Sequence, residues 1–249
     1  MSLLNKSKRI PLLCYVTDRR SLSSAALSGS GGSTPPHVER SPAGEDRSQW
    51  HDLLLDRIRN AAEAGVDWIQ IREKDLSGRE CSRLTSEAQQ SVGKACAEKP
   101  QRPRVLVNDR LDVALAVHTD GVHLGEKSLP PHEAKRLREA LHRQDFLIGV
   151  SCHSLEAAKS AERGGADYIF FGPVFATPSK ASYGAPQGLE RLSEVCRAVS
   201  IPVLAIGGIT LNNFASCLSA GAAGIAAIRL FQDAPDMAAV IRALREIAC

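Results

Sequence analysis

The chain has 249 residues, of which 43% are hydrophobic but only 4% aromatic, so aliphatic side chains are expected to fill its core. A formal net charge of +3, with no Lys/Arg run, gives no electrostatic footprint for nucleic acid, and no apolar stretch reaches membrane-spanning length. The first residues lack a signal peptide's apolar core and cleavage site, and the seven cysteines are scattered without Cys-x-x-Cys spacing, which together predict a cytoplasmic protein with neither a disulfide framework nor a zinc knuckle.

The first predicted strand covers residues 11–18. Residues 19–48 follow, rich in Ser, Gly, Pro and Ala and almost without apolar periodicity. They read as a long loop insertion, a form that is uncommon in compact domains unless it serves a function; a solvated insertion and a lid over the active face are equally open. From Trp50 the pattern becomes regular. A helix over 50–64 carries Leu54, Ile58, Ala61 and Ala62 at helical spacing. Strands over 67–73, 104–109, 121–124, 146–151 and 167–171 alternate with helices over 77–97, 111–117, 132–143, 155–163 and 188–199. Pro130 and Pro131 open the fourth of these helical stretches, where proline is tolerated. Two further short apolar runs, from Ile201 to Gly207-Gly208 and from Gly221 to Ile228-Arg229, have the glycine-bounded form of parallel strands buried on both faces. A helix over 235–247 closes the chain.

An internal echo supports this count. Ala64-Gly-Val-Asp67, Gly164-Gly-Ala-Asp167 and Ala220-Gly-Ala-Ala223 each stand between a helix and an apolar strand, as a glycine helix stop and a tight turn would. Eight strand–helix pairs with one composition throughout predict an α/β fold, a single (β/α)8 TIM-barrel domain over 1–249. The rival, an open doubly wound sheet, would need Gly-x-Gly-x-x-Gly after its first strand, and Tyr15-Val-Thr-Asp-Arg19 lacks it.

In such a barrel the active site collects where strands end. Those ends carry Asp18; Gln70, Arg72 and Lys74; Asn108 and Asp109; His123, Glu126 and Ser128; Ser151 and His153; Thr177, Ser179 and Lys180; Gly207 and Gly208; and Ile228 with Arg229. Gly207-Gly208 lets the backbone approach an anion, Thr210 is placed to cap the following helix, and the loops after the last two strands are the usual seat of a phosphate. Arg72, Lys74, Lys180 and Arg229 are enough for more than one phosphate group. Asp109, a carboxylate among cations, suits Mg²⁺ completed by phosphate oxygens and water. Two anion subsites and one magnesium suggest a diphosphate substrate beside a monophosphate one. Structural readings stand beside these: Arg72 could be spent on an ion pair with Glu73 or Asp109, Asp18 could be a cap, His123 reads as a core residue, and His153 is open. Cys152, flanked by Ser151 and His153, alternates away from the interior they share and reads as a buried hydrophobe rather than a nucleophile.

Six ordered motifs carry a resemblance: Gln70-Ile-Arg-Glu-Lys74, Val107-Asn-Asp-Arg110, Gly121-Val-His-Leu-Gly125, Gly149-Val-Ser-Cys-His-Ser154, the run from Asp167 to Lys180, and Ala205-Ile-Gly-Gly-Ile209. In order and spacing the chain resembles the thiamine phosphate synthase family and its TenI-type relatives, with 19–48 as an insertion. The resemblance implies a Mg²⁺-dependent transferase that joins hydroxymethylpyrimidine diphosphate to a thiazole phosphate, giving thiamine phosphate and pyrophosphate. It implies that Arg72, Lys74, Asn108, Asp109 and Lys180 hold the diphosphate and metal with Ser151 nearby, and that Gln70 lies by the pyrimidine. Thr177, Ser179 and the backbone at Gly207, Gly208, Ile228 and Arg229 would take the thiazole phosphate. Two residues depart from the family pattern. Ser128 stands where the synthase usually has a metal-binding Asp, which leaves Glu126 in the same loop as a replacement; Arg229 stands where a small residue is common. TenI-type relatives use a His matching His153 as acid/base in a thiazole tautomerisation, and a non-catalytic barrel binding a thiazole or thiamine phosphate is the third reading. The partners expected are small phosphorylated molecules, without nucleic acid or membrane, and the sequence is compatible with a homo-oligomer.

Overall fold

The computed structural model describes residues 10–22, 47–177 and 185–248. Eight parallel strands close into a barrel in sequence order: β1 (Leu12–Val16), β2 (Trp68–Ile71), β3 (Arg104–Asn108), β4 (Gly121–Leu124), β5 (Leu147–Cys152), β6 (Tyr168–Phe171), β7 (Val203–Ile206) and β8 (Gly224–Ala227), with β8 paired back onto β1. The helices wrap it: α1 (Arg47–Ala64), α2 (Gly78–Ala95), α3 (Leu111–Ala116), α4 (Pro131–Ala140), α5 (Leu155–Arg163), α6 (Gly188–Ala198), α7 (Leu211–Ser219), α8 (Arg229–Gln232) and α9 (Met237–Ala248). The (β/α)8 architecture read from the sequence is therefore the observed one. Two short elements were not anticipated, the single-turn α8 and a 3₁₀ turn over Arg19–Ser21, because a one-turn helix carries no readable periodicity. Most of the expected 19–48 insertion, residues 23–46, lies outside the described residues.

Strand alternation sorts the core into two. Outward-facing residues such as Ile69, Val105, Val107, Ile148, Ile169 and Ala205 pack under the helices with Leu54, Ile58, Leu84 and Phe214. Inward-facing Cys14, Val16, Trp68, Leu106, Tyr168, Phe170, Leu204 and Ala226 fill the tube. The expectation that aliphatics alone would fill the core fails here: the rings of Trp68 and Tyr168 meet at a tilt of 55° with centroids 4.6 Å apart, and Phe170 lies 5.4 Å from Tyr168. A tube lined by small residues on β1 and β8 leaves volume that a few large rings occupy more completely than many small side chains would. Cys152 faces outward, as its position predicted, and burial pushes its thiol up to about 12, so it is a protonated hydrophobe.

The barrel's lower rim, where strands begin, shows why the echoed turns recur. Gly65, Gly165 and Gly221 all take positive φ (94°, 90° and 102°), which ends the helix and turns the chain back. In two of the echoes an aspartate follows at once. Asp67 accepts from Leu13 N at 2.6 Å and from Arg245 at 2.8 Å; Asp167 accepts from Ile148 N at 2.7 Å and from Arg138 at 2.6 Å. Asp120, outside the echo, does the same with Val105 N at 2.7 Å and Arg102 at 2.8 Å. Each carboxylate satisfies a strand-end N–H that has no ladder partner and ties it to an arginine. Asp167→Ala should therefore lower the unfolding free energy by about 2–3 kcal/mol, the cost of leaving a charged hydrogen bond unmade, whereas Asp167→Asn should lose less because its amide oxygen still accepts from Ile148. Denaturant titration of the two variants checks the ranking.

Candidate functional site

At the upper rim the strand ends bring the predicted polar residues to one mouth. Asp109 follows β3 in a left-handed conformation (φ 61°), which turns its carboxylate back over the barrel. It accepts from Asn108 Nδ2 at 2.9 Å and from Gly125 N at 2.9 Å, and the Ser128 hydroxyl donates to it in a short contact. An ionised carboxylate only accepts, so Asn108 must present its amino group to Asp109 and its oxygen the other way. That oxygen then fixes Gln70, whose Nε2 donates to it at 2.9 Å. Gln70 Oε1 is consequently left without a partner in a side chain only 1% exposed. One negative charge thus orients a row of three side chains and leaves a bare acceptor in the barrel mouth.

A separate network engages the carboxylates that follow this row in the β2 loop. Glu73 was one expected partner for Arg72, but it belongs to Arg19. The Arg19 guanidinium reaches Glu73 at 3.2 Å and forks onto Asp75 with two bonds of 2.5 Å, while Arg20 meets Asp75 at 2.8 Å. The fork holds the Asp75 carboxyl well below the usual range, and burial pushes Glu73 upward. Arg19 also lies 4.8 Å from the Trp50 ring centroid, so both chain ends flanking residues 23–46 meet at this point. The Thr17 hydroxyl donates to Glu73 at 2.7 Å and accepts from Arg72 N at 2.9 Å, which braces the end of β2. With Glu73, Asp75 and Asp109 engaged elsewhere, neither Arg72 nor Lys74 has a salt bridge among the described residues. Lys74 lines a cleft of about 260 Å³ with Glu73, Asn108, Asp109 and Arg110.

The structure separates the two candidates for a metal-ligand role beside Asp109. Ser128 touches Asp109, whereas Glu126 is exposed and its charge is felt at the outward-facing Cys152. Among the described residues no group of three or more His, Cys, Asp or Glu gathers, so an all-protein metal cage is absent there. A lone carboxylate beside a hydroxyl, with phosphate-binding cations alongside, is a donor set that fits Mg²⁺ shared with phosphate oxygens and water.

Across the mouth, Ser151 at the end of β5 lies 2.9 Å from His123 Nε2, and His123 Nδ1 lies 3.1 Å from the Tyr168 hydroxyl. His123 is buried among Tyr168 and Phe170 as the core reading expected; desolvation lowers its pKa to about 3, so it is a neutral imidazole. His153 is held outside this chain, its Nδ1 in a short contact with the Gly172 carbonyl.

The remaining subsite forms after β6, β7 and β8. Gly207 and Gly208 have φ of 96° and 66°, and a Cβ on Gly208 would lie 2.6 Å from the Ala176 carbonyl. The pair is therefore more than a turn: it lets the β6 loop lie against it, with Val174 N bonded to Ile206 O at 2.9 Å and Phe175 N to Gly207 O at 3.0 Å, which carries Thr177 toward the same rim. Thr210 caps α7 as expected, with Asn213 accepting from its N–H at 2.8 Å and donating to Gly208 O at 2.9 Å. Arg229 opens α8, exposed and near Asp233, after Ile228. Ser179 and Lys180 lie outside the described residues. Sequence reasoning missed Gln232, which accepts from Tyr15 at 3.0 Å and donates to the Asp18 carbonyl at 2.9 Å, tying α8 to the end of β1. Its only signal was a polar residue in an apolar run.

These features agree with comparisons to known proteins. A family model described as thiamine monophosphate synthase matches residues 44–231. The chain is 43% identical over 191 residues to a thiamine-phosphate synthase of Methanoculleus marisnigri, covering 77% of this chain and 86% of that one. It is 41% identical over 197 residues to one of Roseiflexus castenholzii, covering 78% and 81%. The solved thiamine phosphate pyrophosphorylase of Pyrococcus furiosus superposes with a TM-score of 0.72 at 32% identity, covering 97% of this chain and 96% of that one. No helix among the described residues is long and apolar enough to cross a membrane. With its closed barrel, its polar upper rim and this degree of identity over most of its length, the chain belongs to the thiamine monophosphate synthase family, which implies a transferase.

Proposed function

We propose that the protein couples hydroxymethylpyrimidine diphosphate to a thiazole phosphate, forming thiamine phosphate and releasing pyrophosphate. The observation that carries this reading is Arg72. It is a half-buried cation at the end of β2 with no salt bridge among the described residues, where Glu73, Asp75 and Asp109 are engaged by other partners, and such a charge calls for an anionic ligand. Lys74 and Asn108 line one cleft with Asp109, and Arg72 and Lys180 are proposed to join them on the diphosphate. Gln70 Oε1, buried and unpartnered, suits an amino group on a heteroaromatic ring placed deeper in the mouth. The second anion, the thiazole phosphate, is proposed to sit on the backbone at Gly207, Gly208, Ile228 and Arg229, with Thr177 and Ser179 as hydroxyl donors and the Arg229 side chain as an added cation.

In the reaction the bond from the pyrimidine methylene carbon to the diphosphate oxygen breaks, with its electron pair leaving on pyrophosphate. The thiazole nitrogen then forms the new carbon–nitrogen bond with its lone pair. No proton has to be removed to form that bond, so no general base is required. Arg72, Lys74 and Ser151 act on the charge that grows on the departing oxygens, which is stabilisation by preorganised dipoles and cations. Asp109, with Ser128 beside it, would hold Mg²⁺, which when bound would neutralise part of the diphosphate charge. The buried aromatic layer of Trp68, Tyr168 and Phe170 closes the bottom of the mouth to water.

The tautomerase alternative needs His153 as acid and base. Its Nδ1 is held by the Gly172 carbonyl, so that reading would have to work through Nε2. Arg72→Ala and Asp109→Ala are each expected to lower coupling turnover by about 10²–10³, measured as thiamine phosphate from the two purified substrates, with unchanged circular dichroism. Retention of near-wild-type turnover by either variant would reject the diphosphate assignment. His153→Ala is expected to keep coupling within about threefold of wild type, since it loses a hydrogen bond and no reacting group; a loss comparable to that of Arg72→Ala would move His153 into the catalytic set. Chelation of Mg²⁺ should abolish coupling, and titrating the metal back should restore it.

A further inference from the structure

The hydrogen-bonded row Ser151–His123–Tyr168 runs from the mouth into the barrel interior, and its direction can be deduced. Tyr168 is 1% exposed, and its hydroxyl has one hydrogen-bonding neighbour among the described residues, His123 Nδ1 at 3.1 Å. Gly149 makes this placement possible: a Cβ there would lie 2.0 Å from the Tyr168 ring carbon that bears the hydroxyl. A buried phenol proton needs an acceptor, so Nδ1 must be the bare nitrogen and the imidazole proton must sit on Nε2. The opposite tautomer would leave the phenol proton pointing at another N–H in a dry core. Nε2–H therefore donates to Ser151 Oγ at 2.9 Å, which occupies the oxygen as an acceptor and turns its own proton away from His123.

We propose that Tyr168 and His123 are positioning residues that fix Ser151 as a hydrogen-bond donor toward the anion bound at the barrel mouth. Without the phenol, the imidazole can carry its proton on either nitrogen, and in one of the two forms Ser151 gives its proton to His123 instead of to the ligand. The identity of that anion as a diphosphate rests on the function proposed above; the direction of the row does not.

Nitrogen NMR of histidine-labelled protein tests the direction, with His123→Gln identifying the relevant signal among the seven histidines. The expected pattern is an unprotonated Nδ1 and a protonated Nε2 for His123; a protonated Nδ1 overturns the proposal. A double-mutant cycle tests the consequence, with Tyr168→Phe retaining the ring and removing only the hydroxyl. Calorimetry with inorganic pyrophosphate and Mg²⁺ is expected to show affinity about tenfold weaker in Tyr168→Phe than in wild type. Made in a Ser151→Ala background, the same change is expected to cost less than about twofold, because the donor it serves is gone. An equal loss in both backgrounds would make Tyr168 a packing residue and overturn the proposal. In coupling assays kcat/KM for the pyrimidine diphosphate should fall while KM for the thiazole phosphate stays constant. A protein that shows the expected tautomer and pyrophosphate cycle yet couples nothing would fail the proposed function and leave the row standing.

Discussion

Closing eight parallel strands into a tube removes every sheet edge and leaves an interior that side chains alone can fill. Here the filling is uneven. β1 and β8 contribute small residues such as Cys14 and Ala226, and Trp68, Tyr168 and Phe170 from β2 and β6 span the space they leave. This aromatic floor sets the depth of the mouth above it. It also places one polar atom, the Tyr168 hydroxyl, where it must find a partner, and His123 is the partner the neighbouring strands bring within reach. Packing at the middle of the barrel is thus coupled to hydrogen bonding at its upper rim.

The two rims use the same residue types for opposite ends. Below, Asp67, Asp120 and Asp167 are each matched to an arginine and to a strand N–H, so charge is compensated and the strand starts are held. Above, carboxylates are again satisfied, but by partners other than the cations nearest in sequence. Glu73 and Asp75 are taken by Arg19 and Arg20, and Asp109 by Asn108, Gly125 and Ser128. Among the described residues Arg72 and Lys74 are left without a salt bridge. A surface ion pair contributes little to stability, so the value of this arrangement lies in what it leaves unpaired. The residues flanking positions 23–46 take part directly, since Arg19 and Trp50 meet beside Glu73.

The anion subsite after β7 and β8 depends on backbone more than on charge. Gly207 and Gly208 admit the β6 loop at a distance no other residue would allow, and Asn213 holds the turn by bonding both Thr210 N–H and the Gly208 carbonyl. Gln232 ties α8 to β1, so the last strand's loop is anchored across the seam where the barrel closes.

Much of this was determined by the sequence alone. The alternation of short apolar runs with helical periodicities, punctuated by glycine, gives eight strand–helix units, and the missing Gly-x-Gly-x-x-Gly after the first strand turns the reading from an open doubly wound sheet to the eight-fold barrel. The same reading placed Gln70, Arg72, Asn108, Asp109, Ser151 and Gly208 at strand ends, and strand parity turned Cys152 outward. Partnership was another matter. That Glu73 would belong to Arg19 rather than Arg72, that Ser128 and not Glu126 would touch Asp109, and that His123 would lie between Tyr168 and Ser151 are relations between residues 19 to 54 positions apart, or between two residues of one loop. Sequence spacing constrains neighbours along a helix or strand. It says nothing about which side chain from an adjacent strand reaches an atom first, and that is decided only when the strands are in register and the barrel is closed.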